Sequence, residues 1–117
     1  MNEQLIRENL KVVAILRGFT NDQARAAAEV FAQCGIQAVE VTFNTDNAAE
    51  IIKTLVADLG DKMIIGAGTV MNPEEVWEAR DAGASFILSP HCDPAVIEET
   101  KRQDLFSVPG AFSATEV

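Results

Sequence analysis

The sequence predicts an α/β fold: the N-terminal part, about five strands, of a TIM (β/α)8 barrel. Three observations carry this. Short apolar runs alternate with capped amphipathic segments, the mark of parallel βαβ units. The runs begin at residues 12, 38, 63, 86 and 106, a repeat of 20–26 residues. Nearly every run ends on a polar or special residue: Arg17, then Glu40, Thr42 and Asn44, then Thr69, then Ser89-Pro90, then Pro109-Gly110. A ring of such residues is what a barrel mouth requires, whereas an open doubly wound sheet binds its ligand at one switch point. Length alone, 117 residues, fits an open flavodoxin-type sheet, because a whole barrel takes about 250 residues. Both architectures remain open, and the polar ring favours the barrel.

Each element follows from its residues. Residues 2–11 read as a short leading helix and 12–16 as the first strand. Thr20-Asn21-Asp22-Gln23 is a capping box, Ala24, Ala27, Ala28 and Phe31 follow at helical spacing, and Gly35 ends the helix. Residues 38–43 form the second strand. Asn47 is the expected cap of a helix whose apolar stripe is Ala48, Ile51, Ile52, Leu55 and Leu59, with Gly60 at its end. Residues 63–70 form the third strand. Asn72-Pro73-Glu74-Glu75 provides a cap, a proline in the first turn and two acids beside it, and this helix runs to Gly83. Residues 86–89 are the fourth strand, Asp93-Pro94 opens a helix reaching Gln103, and 106–108 are the fifth strand. Ser113-Ala114-Thr115-Glu116 has the form of another capping box, so a helix is expected to start just before Val117. The expectation is one domain, residues 1–117, an incomplete βα barrel.

Composition narrows the function. Hydrophobic residues make up 48%, ordinary for a globular α/β protein. Eighteen acidic residues against nine basic ones give a net charge of −9. That balance disfavours nucleic acid, which needs lysine and arginine to neutralise phosphates. No apolar run reaches the roughly 20 residues of a membrane span, and Met1-Asn2-Glu3-Gln4 lacks a signal-peptide profile. Cys34 and Cys92 lack CxxC spacing and read as free thiols of a reducing cytoplasm.

The segment Val39-Glu40-Val41-Thr42-Phe43-Asn44 is the sharpest candidate site. Alternation puts Ala38, Glu40, Thr42 and Asn44 on one face and Val39, Val41 and Phe43 on the other. In a barrel the first face points inward. An inward carboxylate is costly unless paired or functional, and burial raises its pKa toward the range of a general acid/base. The plainer reading is an amphipathic strand with a solvent-facing glutamate. Arg17 is either a bidentate anion holder, a partner for Glu40, or a surface arginine. Gly66-Ala67-Gly68-Thr69-Val70 lacks the third glycine of a dinucleotide loop. Its glycines fit a close approach by a ligand or neighbouring strand, with Thr69 offering a hydroxyl, or merely a tight turn. His91 is the only histidine, so a metal site is not expected. His91 and Cys92 are adjacent, a poor geometry for a nucleophile pair. Trp77 reads as packing. Lys11, Lys53, Lys62 and Lys101 fall outside the predicted strands.

Taken in order and spacing, Ala14-Ile15-Leu16-Arg17-Gly18, Val39-Glu40-Val41-Thr42, Ile65-Gly66-Ala67-Gly68-Thr69-Val70, Ser89-Pro90 and Val108-Pro109-Gly110 resemble the 2-keto-3-deoxy-6-phosphogluconate / 4-hydroxy-2-oxoglutarate aldolase family over residues 10–117. The resemblance implies a βα-barrel class I aldolase that needs no metal or other cofactor, commonly a homotrimer. It implies a 2-keto acid substrate, with no nucleic-acid or membrane partner. By the same resemblance Glu40 is the general acid/base, and Arg17 and Thr69 line the substrate pocket. Pro90 and Pro109-Gly110 shape its floor and rim. Asn44 stands where many members carry an arginine that contacts the substrate carboxylate, and asparagine there resembles the phosphogalactonate-type branch. The family's imine-forming lysine lies on a sixth strand and its phosphate loops follow the seventh and eighth, positions expected beyond Val117. A non-catalytic half-barrel that self-associates or binds a partner, and a flavodoxin-like binding domain, are the alternatives.

Overall fold

The computed structural model describes residues 3–117. The expected helix start at Asn2 lies outside them. The elements are α1 (Glu3–Asn9), β1 (Val13–Leu16), α2 (Asn21–Gln33), β2 (Ala38–Thr42), α3 (Ala48–Leu59), β3 (Ile64–Gly68), α4 (Pro73–Ala82), β4 (Phe86–Leu88), α5 (Pro94–Arg102) and β5 (Phe106–Val108). A short 3-10 turn, Ala114–Glu116, follows.

The sheet order decides between the two expected architectures. The five strands pair in chain order, β1-β2-β3-β4-β5, all parallel. A flavodoxin-like sheet would place its first strand between the second and third. Consecutive parallel pairing with a helix between neighbours is the arrangement of a βα barrel, so the chain forms a five-stranded arc of that fold.

Register assigns every strand residue to a face. Ile15 pairs with Glu40 and Glu40 with Gly66, while Thr42 pairs with Gly68. Val13, Ile15, Ala38, Glu40, Thr42, Gly66, Gly68, Phe86 and Phe106 therefore share the inner face. Leu16, Val39, Val41, Ile65, Ala67 and Ile87 belong to the outer face, packed in one core with Ile51, Ile52 and Leu55 of α3 and Val76 of α4. Ile6 of α1 joins Phe86 and Phe106 in a second, smaller core on the inner face.

Local chemistry sets the helix starts. Thr20 accepts from the Gln23 amide at 3.3 Å while its own amide donates to Gln23 Oε1 at 3.0 Å, closing the expected capping box. Asn72 accepts from the Glu75 amide at 2.9 Å, and Asp93 from that of Ala95 at 2.9 Å, each beside a first-turn proline.

Three local expectations need correction. Asn47 precedes α3 but adopts a left-handed conformation, φ 59°, and its side chain makes no cap bond. A side-chain cap needs extended backbone, and asparagine tolerates the left-handed region instead. Ser113 is extended as a cap should be, yet accepts nothing; the Glu116 carboxylate accepts from Phe112 N at 2.8 Å and Ser113 Oγ at 2.9 Å. Half of a capping box forms there, over a 3-10 turn. Trp77 is 55% exposed rather than packed. Among the described residues no helix is long and apolar enough to cross a membrane.

Candidate active site

The site is built where β1, β2 and β3 end. Glu40 sits mid-strand on the inner face and is 3% exposed. Its carboxylate lies over Gly68 of the neighbouring strand: a Cβ there would stand 2.2 Å from Glu40 Oε1. Gly66, one pair earlier, makes the same room for the Phe86 ring, 2.5 Å from any added Cβ. The glycines of Gly66-Ala67-Gly68 thus accommodate two neighbouring side chains, and the expected ligand or strand approach is filled by Glu40 and Phe86.

Burial is incomplete compensation for the carboxyl. Glu40 Oε2 is buried without a hydrogen-bond partner. Desolvation penalises the ionised form and raises the Glu40 pKa; the nearby Arg17 guanidinium works in the opposite direction and is the weaker effect. The carboxyl therefore holds its proton to higher pH than a free glutamate.

Arg17 leaves the end of β1 and reaches across β2. Its Nη2 donates to Thr69 Oγ1 at the end of β3, at 3.2 Å. Thr69 has φ 55°, in the left-handed region that a β-branched residue seldom adopts. Such strain costs on the order of 1–3 kcal/mol and concentrates at functional sites. Glu40, Arg17 and Thr69, three of the sequence-predicted residues, are thereby brought together.

Asn44 and Pro90 stand apart from that cluster, and both are exposed. Asn44 lines a cleft of about 540 Å³ with Gly18, Phe19, Asn21, Asp46 and Glu50, beside the cluster and at the same end of the strands. Pro90 lies in the loop after β4. Its carbonyl oxygen would lie 2.4 Å from a Cβ on Gly110, so the loops after β4 and β5 touch only because residue 110 is glycine. His91 and Cys92 do not pair: His91 Nε2 faces Asp93 Oδ2 at 3.7 Å, and Cys92 Sγ donates to the Glu116 carbonyl at 3.4 Å. All four lysines are exposed and none lies on a strand.

One functional feature escaped the sequence reading. Thr45, in the loop after β2, is 6% exposed. It accepts from the Gly18 amide at 2.9 Å and shares a 2.9 Å hydrogen bond with Thr42 Oγ1. A threonine three residues beyond Thr42 was the only local trace; its contact with Gly18 spans 27 positions of chain.

In chemical terms the cluster holds a carboxyl whose proton is retained to higher pH than a free glutamate's, beside an arginine cation suited to an anionic oxygen.

The model of the family "KDPG and KHG aldolase" matches residues 3–117. The 2-dehydro-3-deoxy-6-phosphogalactonate aldolase of Escherichia coli K12 is 36% identical over 107 residues, which are 92% of this chain and 52% of that protein. The chain spans about half the length of the curated relatives it matches. A solved structure described as native KDPGal superposes with a TM-score of 0.87 at 36% identity, over 91% of this chain and 52% of the other. The KDPG aldolase of Legionella pneumophila, solved with pyruvate captured as a covalent carbinolamine, superposes with a TM-score of 0.83 at 28% identity, over 89% and 50%. With its full described length matched and its fold shared, the chain belongs to the KDPG and KHG aldolase family.

Proposed function

We propose that this chain carries the proton-transfer part of a class I aldolase acting on a 2-keto-3-deoxy-6-phospho sugar acid or on 4-hydroxy-2-oxoglutarate. The observation that carries the reading is the buried Glu40 carboxyl, with one unpartnered oxygen, at the end of the strands where Arg17 meets Thr69. A lysine amine condenses with the substrate ketone, losing water and leaving a protonated imine. The imine draws in the electrons of the scissile carbon–carbon bond. Glu40 takes the proton of the hydroxyl that becomes the aldehyde, then returns a proton to the enamine carbon, which becomes the methyl of pyruvate, and water hydrolyses the remaining imine to free pyruvate and the lysine amine. With 4-hydroxy-2-oxoglutarate the second product is glyoxylate. Arg17 holds a substrate carboxylate or phosphate oxygen, Thr69 offers its hydroxyl, and Asn44 and Pro90 form the walls. Neither metal nor organic cofactor takes part.

Lys11, Lys53, Lys62 and Lys101 are exposed and lie off the strands, which supports assigning the imine lysine and the phosphate site to residues other than these 117. The capture of pyruvate as a carbinolamine in the Legionella relative supports an amine nucleophile. In this reading residues 1–117 are an incomplete βα-barrel domain of a cytoplasmic homo-oligomer, a trimer by family likeness.

The test is incubation with pyruvate, borohydride reduction and intact mass, alongside amide spectra recorded during a pyruvate titration. An unmodified mass, with shifts confined to Gly18, Glu40 and Thr69, is the expected result. A reduced adduct would show that a lysine of this chain suffices, and an unchanged spectrum would remove the 2-keto acid site. A second reading, self-association, is supported by β1 and β5, the edge strands of the sheet among the described residues; a sedimentation mass equal to one chain would end it.

A further inference from the structure

The base of Arg17 is held more firmly than its tip. The guanidinium is exposed and is tied by one 3.2 Å hydrogen bond to Thr69. An arginine so loosely anchored gains its direction from where its backbone is fixed. On one side of Arg17, the Leu16 carbonyl accepts from Thr42 Oγ1 at 3.4 Å. On the other, the Gly18 amide donates to Thr45 Oγ1 at 2.9 Å, and the two hydroxyls bond each other at 2.9 Å.

Proton accounting gives this ring one direction. Gly18 N–H donates to Thr45, whose hydroxyl proton goes to Thr42, whose own proton goes to the Leu16 carbonyl. Each hydroxyl then donates once and accepts once. Both are buried, Thr42 fully and Thr45 at 6% exposure, so neither exchanges its partner freely for water. Gly18 adopts φ 74°, which turns the chain sharply after Arg17. The ring therefore encloses the Arg17 backbone and ties it to β2, the strand that carries Glu40.

We propose that Thr42 and Thr45 are positioning residues: their paired hydroxyls clip the backbone on both sides of Arg17 and thereby aim its guanidinium at Glu40 and Thr69. The use made of that aim in catalysis rests on the aldolase reading, but the clip itself does not and is tested without turnover.

The experiment is a carbon-13 NMR titration of the Glu40 carboxyl in the 117-residue chain, in Thr45→Val, Thr45→Ser and Arg17→Ala, and in Thr45→Val combined with Arg17→Ala. Valine keeps the volume and removes the hydroxyl. The expected result is an upward shift of the Glu40 midpoint in Thr45→Val and in Arg17→Ala, with the parent midpoint in Thr45→Ser. In the double variant Thr45→Val adds no further shift, because the cation it positions is gone. A Glu40 midpoint unmoved by Thr45→Val, or one that shifts equally with and without Arg17, would overturn the proposal. If Thr45→Val does not fold, Thr42→Val breaks the same ring from its other member and is read the same way. Failure of pyruvate to bind would leave these shifts intact, so the clip and the aldolase reading fail separately.

Discussion

The two faces of one sheet are built on opposite rules. On the outer face Val39, Val41, Ile65 and Ala67 are at most 2% exposed, under helices whose apolar stripes were plain in the sequence. On the inner face the same strands carry Glu40, Thr42, Gly66 and Gly68, and Ile15 is 60% exposed. Strand alternation makes this division of labour possible, since adjacent residues can serve stability and chemistry separately. The outer face buries apolar area; the inner face spends conformational and solvation energy to hold a carboxyl, a cation and a strained threonine together.

The largest expected effect breaks the outer face alone. Ile52→Ala, at a fully buried position of α3, should destabilise the chain by about 2–5 kcal/mol in chemical denaturation. The Glu40 titration should stay where it was, because no part of the mouth has moved. A shift in Glu40 would mean that the two faces are not separable.

Gly66→Ala strikes the inner face through packing. The new methyl would overlap the Phe86 ring, and the ring must tilt into its contacts with Ile6 and Phe106. A loss of about 1–3 kcal/mol is expected, the range for overpacking. A loss below that range would show that Phe86 is not held as described.

Glu40→Gln removes the charge and has a sign set by pH. Below the ordinary glutamate value, about 4.3, both folded and unfolded chains carry the proton and burial exacts no ionisation penalty. As pH rises from there to the raised folded value, the unfolded chain ionises first and stability falls. Glutamine should therefore raise the melting temperature at pH 7 and leave it nearly unchanged below pH ~4. The opposite order would indicate a carboxylate stabilised in its charged form.

The smallest effect is Thr69→Gly. Relief of the left-handed strain is worth on the order of 1–3 kcal/mol and the added backbone freedom of glycine costs about 0.5–1 kcal/mol. A modest net gain in stability is expected, together with loss of the Arg17 contact.

What was legible in the sequence follows the same division. Periodicity and caps placed all five strands and the helices between them, because those signals are local: Thr20 with Gln23, Asn72 with Glu75, Asp93 with Ala95. Glu40, Arg17 and Thr69 were legible as polar residues at strand ends. Their mutual geometry was not, since it depends on strand order and on the absent side chains of Gly66 and Gly68. Thr45 was missed because its partner lies 27 residues away, and Asn47 misled because the residue types that cap helices also tolerate left-handed turns. Trp77 misled because helical spacing does not reveal which flank of α4 the neighbouring helices leave uncovered.

Burial at the mouth raises the pKa of the Glu40 carboxyl, and Arg17 opposes that rise. The most direct measurement is the carbon-13 titration of that carboxyl in the parent chain and in Arg17→Ala. A midpoint above the ordinary glutamate value, rising further when Arg17 is removed, is the predicted result. A midpoint at or below the ordinary value would contradict the account.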